Sequence, residues 1–440
     1  MLKENKIEEV RNITNQRSIV IREGDYLKSI DYVEYFKEDF EKMAEEFEKA
    51  AELSTNEDFN EYLKLQAKAL RIADPELDAK ADIKWADLQD TPLELTLTRE
   101  SYHDEMTPSF IENEELTKLL NESGIIPCGK DTLGLRVGIV NKEGSDFLLK
   151  IKQFLPDLAK LMPYENQYEQ KISDDDQVKQ SMIDADIIIL PGDVGAYRGS
   201  MTLAENLPND DKLSLTMGGG RRNVYHRQLR GGFSNETALK EYLDLFLDPE
   251  QHQYFDDEAD HWFVIGHENT HSLGPVMQDS KLGKYESIIE ENKADMGSLS
   301  FVDFLTEKGY YTEEQRNKIL VTIILYRMFI NTKPNLSEAH KVRTVMQNYY
   351  LLSKNAYYLT ENDTIHVNID NVVSAAKDML TEIIEVQLAN DFKKAEDYVM
   401  KYFQWTDEMQ KIGDKLSKRS SKLNSIVNNE LADKILSQKY

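Results

Sequence analysis

The run HENTH at positions 267–271 places two histidines four residues apart, with a glutamate directly after the first. Residues i and i+4 lie on one face of a helix, so His267 and His271 can offer two imidazoles to one metal ion. Glu268 points about 100° around the helix from His267, which places it beside the ion. A general base must stand there to take a proton from a water molecule that the metal activates. The spacing predicts a hydrolytic zinc site on a helix that Gly274-Pro275 ends.

A second acidic segment, at positions 290–295, can supply the third ligand. In a helix, Glu291 and Asp295 fall on the same stripe as Leu299, so two carboxylates interrupt an apolar face. Buried carboxylates are costly unless they are compensated, and a metal ion would compensate them. Glu291 follows His271 by 20 residues, enough for one helix to end and a second to return. Asp295, one turn further on, could accept the other ring N–H of a ligand histidine.

The composition indicates an acidic protein that does not bind polyanions. The chain has 440 residues and a net charge of −27, from 80 acidic against 53 basic residues. Nucleic acids and anionic membranes attract basic surfaces, so neither is an expected partner. The one cysteine, Cys128, excludes an internal disulfide and is consistent with a reducing compartment. Because we find neither the apolar core of a signal peptide nor an apolar run of membrane-spanning length, we expect a soluble, cytoplasmic protein.

The apolar pattern changes along the chain and predicts three segments, 1–92, 93–232 and 233–440. Apolar residues recur every three or four positions over residues 30–72, which predicts N-terminal helices. Strands are predicted in the middle segment at Leu93 to Leu97, Leu133 to Ile139 and Ile187 to Leu190. The last segment is almost entirely helical in pattern. The expected fold class is therefore α+β, predominantly helical.

Two other features are interpreted as structural. Residues 218–222, GGGRR, contain neither a GxxxxGK[ST] nor a GxGxxG pattern, so we interpret them as a flexible turn and not as a phosphate-binding loop. Apart from His340, the histidines outside the HENTH run have no convincing partner in the sequence, and we expect them to be structural: His103, His226, His252, His261 and His366.

Several polar segments, taken in order, resemble those of the dipeptidyl peptidase III family of zinc peptidases. They are ESYHD at 100–104, Gly192-Asp193 with Thr202 and NLPND at 206–210, HENTHSLGP at 267–275, EENKAD at 290–295, and EAH at 338–340 followed by Asn348 and Tyr349. The chain is most similar to the branch that forms the peptidase part of plant Nudix-fusion proteins and also occurs as stand-alone bacterial proteins. Members of that branch have the plain HExxH motif, whereas animal and yeast members have one more residue between the histidines. No Nudix box is present in this sequence.

The resemblance implies a role for each matching residue. It implies one zinc ion per chain, bound by His267, His271 and Glu291, with Glu268 as the general base. Asp295 and Glu290 would orient the ligand histidines, and Tyr102 and His340 would stabilise the tetrahedral intermediate. The residues implied to hold the free amino end of a peptide are Glu100, Asn206 and Asn209. The family fold has two lobes, one with a small β-barrel and one helical lobe that binds zinc, with a cleft between them.

The expected function is zinc-dependent hydrolysis of peptide bonds, with release of dipeptides from the amino end of short peptides. Two alternatives stay open. One is another zinc peptidase with HExxH and ExxxD motifs, either an aminopeptidase or an oligo-endopeptidase. The other is a non-catalytic, zinc-stabilised peptide-binding protein. HENTH alone could match a surface helix by accident, but ExxxD at a suitable distance favours the zinc site. The sequence does not indicate an oligomeric state.

Overall fold

The computed structural model describes residues 1–91, 93–101, 111, 113–125, 127, 129–169, 182–189, 204–207, 222–226, 236–277, 280–327, 330, 332–336 and 338–418. Over these residues the chain is predominantly helical, with one mixed sheet of five strands and two small hairpins. The α+β, predominantly helical class is therefore confirmed. The division into two lobes with a cleft between them stays a prediction, as do the three segment boundaries.

The first eight helices are α1 Ile7–Thr14, α2 Tyr32–Tyr35, α3 Lys37–Leu53, α4 Glu57–Arg71, α5 Pro75–Ala86, α6 Glu114–Glu122, α7 Lys142–Leu149 and α8 Leu155–Leu161. Helices α3 and α4 pack together as the apolar spacing predicted, because Phe40 and Phe47 of α3 are buried with Leu63 and Leu70 of α4. Asn56 caps the start of α4 with its side-chain oxygen. These helices are a scaffold for the sheet.

Five strands form the larger sheet: β3 Leu93–Ser101, β4 Asp131–Val140, β5 Met182–Ile189, β6 Ala204–Leu207 and β7 Arg222–His226. Their order is β3-β4-β5-β7-β6, and neighbours are antiparallel except for the parallel pair β5 and β7. Leu95 is opposite Val137 and Leu97 is opposite Leu135, so the predicted alternation marks the face that packs on α3 and α4. The remaining strands pair as β1 Ser18–Glu23 with β2 Tyr26–Asp31, and β8 Tyr357–Leu359 with β9 Ile365–Val367.

The other helices form the larger core: α9 Glu236–Phe246, α10 Glu258–His271, α11 Glu286–Glu307, α12 Glu313–Arg327, α13 Ala339–Ser353, α14 Ile369–Ala389, α15 Phe392–Tyr402 and α16 Asp407–Ser417. Short 3-10 turns lie at Leu2–Glu4, Lys150–Phe154, Glu165–Gln167, Pro249–Tyr254 and Gly283–Tyr285. Met182 and Tyr225 of the sheet also pack into this helical core. Among the described residues, no helix is both long enough and apolar enough to span a membrane.

Arg222 corrects the interpretation of residues 218–222 as a flexible turn. It is the first residue of β7 and is fully buried, while residues 218–221 lie outside the described part of the chain. Its guanidinium donates from Nη2 to Glu94 Oε2 at 2.8 Å and from Nη1 to the Leu88 carbonyl at 2.7 Å. Trp85 donates to the other Glu94 oxygen at 2.6 Å. The sequence pattern missed this pair because its partners lie more than a hundred residues apart.

We expect Arg222→Met to lower the free energy of unfolding by about 3–5 kcal/mol, because it leaves the Glu94 carboxylate buried without its cation. Urea denaturation followed by tryptophan fluorescence measures the change, and Trp85 reports on this pair directly. Arg11→Met is the matched control, since Arg11 pairs with Glu8 on the exposed face of α1 and should change stability little. Equal stability of the two variants would contradict a structural role for the buried pair.

Candidate metal centre

Two closely crossing helices, α10 and α11, carry the motif residues. A Cβ atom at Gly266 would lie 2.3 Å from Ser298 Oγ, and one at Gly297 would lie 2.3 Å from Thr270 Cγ2. These glycines therefore allow the two backbones to approach. Ser298 adds a hydrogen bond from its hydroxyl to the Phe263 carbonyl at 2.7 Å. The crossing fixes the distance between the histidines of α10 and the carboxylates of α11.

The chain turns between α10 and α11 where the sequence predicted it. Helix α10 ends at His271, and Gly274 has a φ of +92°, a conformation that residues with a Cβ rarely adopt. Lys293 of α11 is buried and donates from Nζ to the Leu273 carbonyl at 2.7 Å. The same ammonium lies 2.8 Å from Glu290 Oε1. Lys293 thus connects the turn to the returning helix. The observed order of helix, turn and returning helix confirms the predicted one.

His267, His271 and Glu291 form a group that could hold a metal ion, since one ligand atom from each lies within 4.8 Å of the others. The two Nε2 atoms are 3.2 Å apart. Glu291 Oε2 lies 3.5 Å from His267 Nε2, and Glu291 Oε1 lies 3.9 Å from His271 Nε2. Two nitrogens bound tetrahedrally to zinc at 2.0–2.1 Å would be about 3.3 Å apart. The observed spacing of the histidines fits such an ion.

The opposite ring nitrogens face carboxylates, and this determines which nitrogens carry protons. His267 Nδ1 is 2.8 Å from Asp295 Oδ1, and His271 Nδ1 is 3.0 Å from Glu290 Oε1. Each Nδ1–H therefore donates, which leaves a lone pair on each Nε2. The two lone pairs and Glu291 Oε2 converge, and that buried oxygen has no hydrogen-bond partner among the described residues. Three converging acceptors repel one another unless a cation lies between them, so the donor set fits a metal ion.

The charge states also suit metal binding. Burial lowers the pKa of His267 to about 3; the Glu291 carboxylate opposes this effect, and Arg343 and Arg327 add to it. Burial alone would raise the pKa of Glu291, but the positive charge of His340, whose Nδ1 lies 3.3 Å from Oε2, holds that pKa well below its ordinary value. At neutral pH the His267 imidazole is neutral and the Glu291 carboxylate is ionised, which are the forms that bind a metal.

Asp295 is held by partners that the sequence did not predict. Its carboxylate is fully buried, and Arg327 Nη2 donates to Oδ1 at 2.9 Å. Gln347 Nε2 donates to Oδ2 at 2.9 Å, and Arg343 forms an ion pair with the same oxygen. Burial lowers the pKa of Arg327 to about 10, so this side chain is still a cation at neutral pH. Arg343 lies three residues after His340 on α13, and no short-range pattern in the sequence shows that it meets Asp295.

Glu290, Glu268 and His340 complete the surroundings of the cluster. Gln387 Nε2 donates to Glu290 Oε2 at 3.0 Å, which holds the carboxylate that faces His271. His340 Nδ1 lies 3.3 Å from Glu291 Oε2. The pKa of His340 is raised chiefly by the Glu291 carboxylate, and Glu268 contributes to this effect. Glu268 itself is buried beside His267 on α10. The structure thus brings together the residues predicted from α10, α11 and α13.

The predicted peptide-binding residues lie outside the described part of the chain or have side chains that are not described. Tyr102 and Asn209 lie outside the described residues, as does His103. Glu100 and Asn206 lie in β3 and β6, opposite Thr132 and Asn223, and their side chains are not described. Their predicted roles stay predictions. Of the other histidines, His252, His261 and His366 have structural neighbours, namely the Leu247 carbonyl, the Tyr225 ring and the Asp248 carboxylate.

We expect Asp295→Asn to weaken zinc binding about 10–100-fold, because the amide no longer supplies the carboxylate that orients His267. Competition with a chelating dye measures the affinity without reference to activity. Asp303→Asn is the matched control, since Asp303 of α11 pairs with Arg316 of α12, as Asp295 pairs with Arg327. Unchanged zinc affinity in Asp295→Asn, or an equal loss in the control, would contradict this role.

The fold and the cluster together define a predominantly helical α+β protein with an HExxH-type site that could hold a metal ion. No protein-family model matches the chain. The protein named Nudix hydrolase 3 from Arabidopsis thaliana is 26% identical to it over 390 residues, which cover 86% of this chain and 46% of the plant protein. The chain therefore spans about half the length of the curated relative that it matches.

Two solved structures share the fold. The structure of DPP III from Caldithrix abyssi aligns with a TM-score of 0.75 and 23% identity, covering 97% of this chain and 78% of that one. The structure of dipeptidyl-peptidase III from Corallococcus sp. strain EGB aligns with a TM-score of 0.76 and 18% identity, covering 99% and 76%. The chain accordingly has the fold of dipeptidyl peptidase III structures.

Proposed function

We propose that this protein is a zinc-dependent peptidase that releases dipeptides from the amino end of short peptides. The observation that carries the proposal is the convergence of two imidazole lone pairs and one carboxylate beside a buried glutamate. Two imidazoles and one carboxylate are a ligand set of catalytic zinc sites, which keep one position open. The proposed ligands are His267, His271 and Glu291, with one zinc ion per chain.

In this proposal the chain's own residues move the protons. His267, His271 and Glu291 would hold a metal ion that would supply Lewis acidity for the scissile carbonyl and for the attacking water. Glu268 takes a proton from the attacking water and later returns it to the leaving amine. Its position directly after His267 on α10 keeps it next to the cluster. His340, whose ring already contacts Glu291, donates a hydrogen bond to the oxyanion together with Tyr102.

The comparisons support the reaction and the type of substrate. The Caldithrix abyssi and Corallococcus structures carry the names DPP III and dipeptidyl-peptidase III, and the ligand set in this chain is that of a hydrolytic zinc site. We propose the family's arrangement of two lobes around a cleft, in which Glu100, Asn206 and Asn209 bind the free ammonium of the peptide. The match to a Nudix-named plant protein supports the branch with the plain HExxH motif. We also propose that the protein acts in the cytoplasm.

Analysis of the cleavage products tests the proposal. The full chain is loaded with zinc and incubated with a library of short peptides that have free amino ends, and with the same library after N-acetylation. We expect dipeptides from the free library and none from the acetylated one, because the amino end must carry its charge to bind. Mass spectrometry identifies the products, and removal of the metal with a chelator should stop cleavage until zinc is restored.

Each other result points to a different function. Cleavage of acetylated peptides would indicate an endopeptidase, and release of single residues would indicate an aminopeptidase. Zinc binding without any product from either library would indicate a peptide-binding protein. Cleavage that survives complete removal of the metal would contradict the assignment of the metal centre.

A further inference from the structure

His340 lies where its helix is least fixed by its own hydrogen bonds. It is the second residue of α13, and Glu338, which precedes the helix, makes no side-chain capping hydrogen bond. The first N–H groups of a helix have no partner within the helix, so an uncapped first turn is held mainly by tertiary contacts. The side chain of His340 is 56% exposed. Its position therefore depends on the few side chains that contact its ring.

Arg343, one turn further along α13, is such a contact. Its Nη2 lies 3.4 Å from His340 Nδ1. Unlike His340, Arg343 is 8% exposed, and its guanidinium forms an ion pair with the carboxylate of Asp295 on α11. Arg343 is thus one of the side chains that join α13 to the helix that carries Glu291, together with Gln347, which donates to Asp295 one turn further on.

The same guanidinium also faces the ligand carboxylate. Arg343 Nε lies 3.9 Å from Glu291 Oε2, and neither atom has a hydrogen-bond partner among the described residues. A planar guanidinium has donors in several directions, so one arginine can fix three groups at once. Arg327 also donates to Asp295, but its guanidinium packs over the Phe263 ring. Arg343 contacts Asp295, Glu291 and His340 together.

We propose that Arg343 is a positioning residue that holds His340 in line with Glu291. This inference rests on the proposed function, because it assigns the role through the reaction of His340. Arg343 acts by connecting α13 to α11 and does not itself contact the reacting atoms. Loss of the connection lets the first turn of α13 move. His340, the hydrogen-bond donor to the oxyanion, is then misplaced while the peptide still binds.

A double-mutant cycle tests whether the arginine acts through the histidine. In the zinc-loaded chain, we expect Arg343→Met to lower kcat about 100-fold, the cost of a small misplacement of a catalytic group. KM should change by less than about twofold, because peptide binding is kept. In a His340→Ala background the same change should lower kcat by less than about twofold, because the group it positions is gone. An equal loss of kcat in both backgrounds would overturn the proposal.

Zinc affinity gives a second readout that does not depend on turnover. Arg343→Lys keeps the positive charge beside Asp295, so it also serves if the methionine variant does not fold. A lysine cannot span the three groups, and we expect zinc affinity to fall about tenfold as Glu291 loses its neighbour. Arg316→Lys is the control, since Arg316 pairs with Asp303 away from the cluster. The zinc affinity of this variant should equal that of the parent. Parental zinc affinity and kcat in Arg343→Lys would overturn the proposal.

The two hypotheses fail in different ways. If the parent chain binds zinc but cleaves no peptide, the proposed function fails whatever the arginine variants show. If the parent releases dipeptides and Arg343→Lys and Arg343→Met behave as the Arg316 control does, the function stands and the positioning role is wrong.

Discussion

Glu268→Gln is expected to abolish almost all peptide hydrolysis while zinc stays bound. Glutamine keeps the size of the buried side chain but cannot take a proton from the attacking water, and general base catalysis contributes about 10²–10⁴-fold to such reactions. The ligand atoms His267 Nε2, His271 Nε2 and the Glu291 carboxylate are unchanged by the substitution. We therefore expect kcat to fall by about that factor, with zinc content equal to that of the parent. Zinc content is measured by atomic absorption after dialysis, and kcat is measured with a free-amine peptide.

A neighbouring substitution separates a chemical role from a structural one. Asn269 follows Glu268 on α10 and is also buried, and its side chain donates to the Ile265 carbonyl at 2.7 Å. Asn269→Ala should lower stability without the large loss of kcat, because it removes a helix contact and no proton acceptor. Full activity in Glu268→Gln would exclude Glu268 as the general base. Loss of zinc in that variant would show that the glutamate shapes the metal site instead.

His271→Ala is expected to remove both zinc binding and turnover. The substitution deletes one of three ligand atoms and leaves Glu290 facing an empty position. Zinc affinity should fall by more than about 100-fold, since even changes to residues behind the ligands cost 10–100-fold. Zinc should also no longer stabilise the fold, whereas a ligand at a thousand times its Kd stabilises the parent by about 4 kcal/mol. Thermal unfolding with and without zinc measures this difference.

His261→Ala is the matched control for the ligand variant. His261 lies on the same helix, ten residues before His271, and its ring packs edge-on against Tyr225. It is not among the ligand atoms of the cluster, so the zinc-dependent shift in melting temperature should persist in His261→Ala. A persistent shift in His271→Ala, or its loss in both variants, would contradict the assignment of the ligand.

The local parts of the site were predictable from the sequence. The positions of His267, Glu268 and His271 on one helix follow from its 3.6-residue turn, which needs no knowledge of the fold. The same reasoning places Glu291 and Asp295 on one stripe of α11. The end of α10 before Gly274 was predictable because glycine readily adopts the positive φ that is observed there. Each of these depends on residues that are near one another in the chain.

The strands were predictable for the same reason, but their partners were not. Alternation located β3 and β4, because period-two burial is a local property, and the short apolar run that starts at Ile187 located the end of β5. It did not show that Arg222 begins β7 and pairs with Glu94, since that requires knowing which strands and helices meet. A glycine-rich run followed by two arginines has the same composition whether its last residue is exposed in a turn or buried in a sheet.

Tertiary structure alone decided what surrounds the ligand residues. The contact at Gly266 and Gly297 sets how closely α10 and α11 cross, and that crossing brings Glu291 to the histidines. The groups that hold Asp295 come from residues 32 to 52 positions further along the chain, on α12 and α13. Such partners are chosen by the packing of whole helix faces, which leaves no short-range pattern in the sequence. The sequence by itself determined which residues could bind a metal, and the packing of four helices decided how they are oriented.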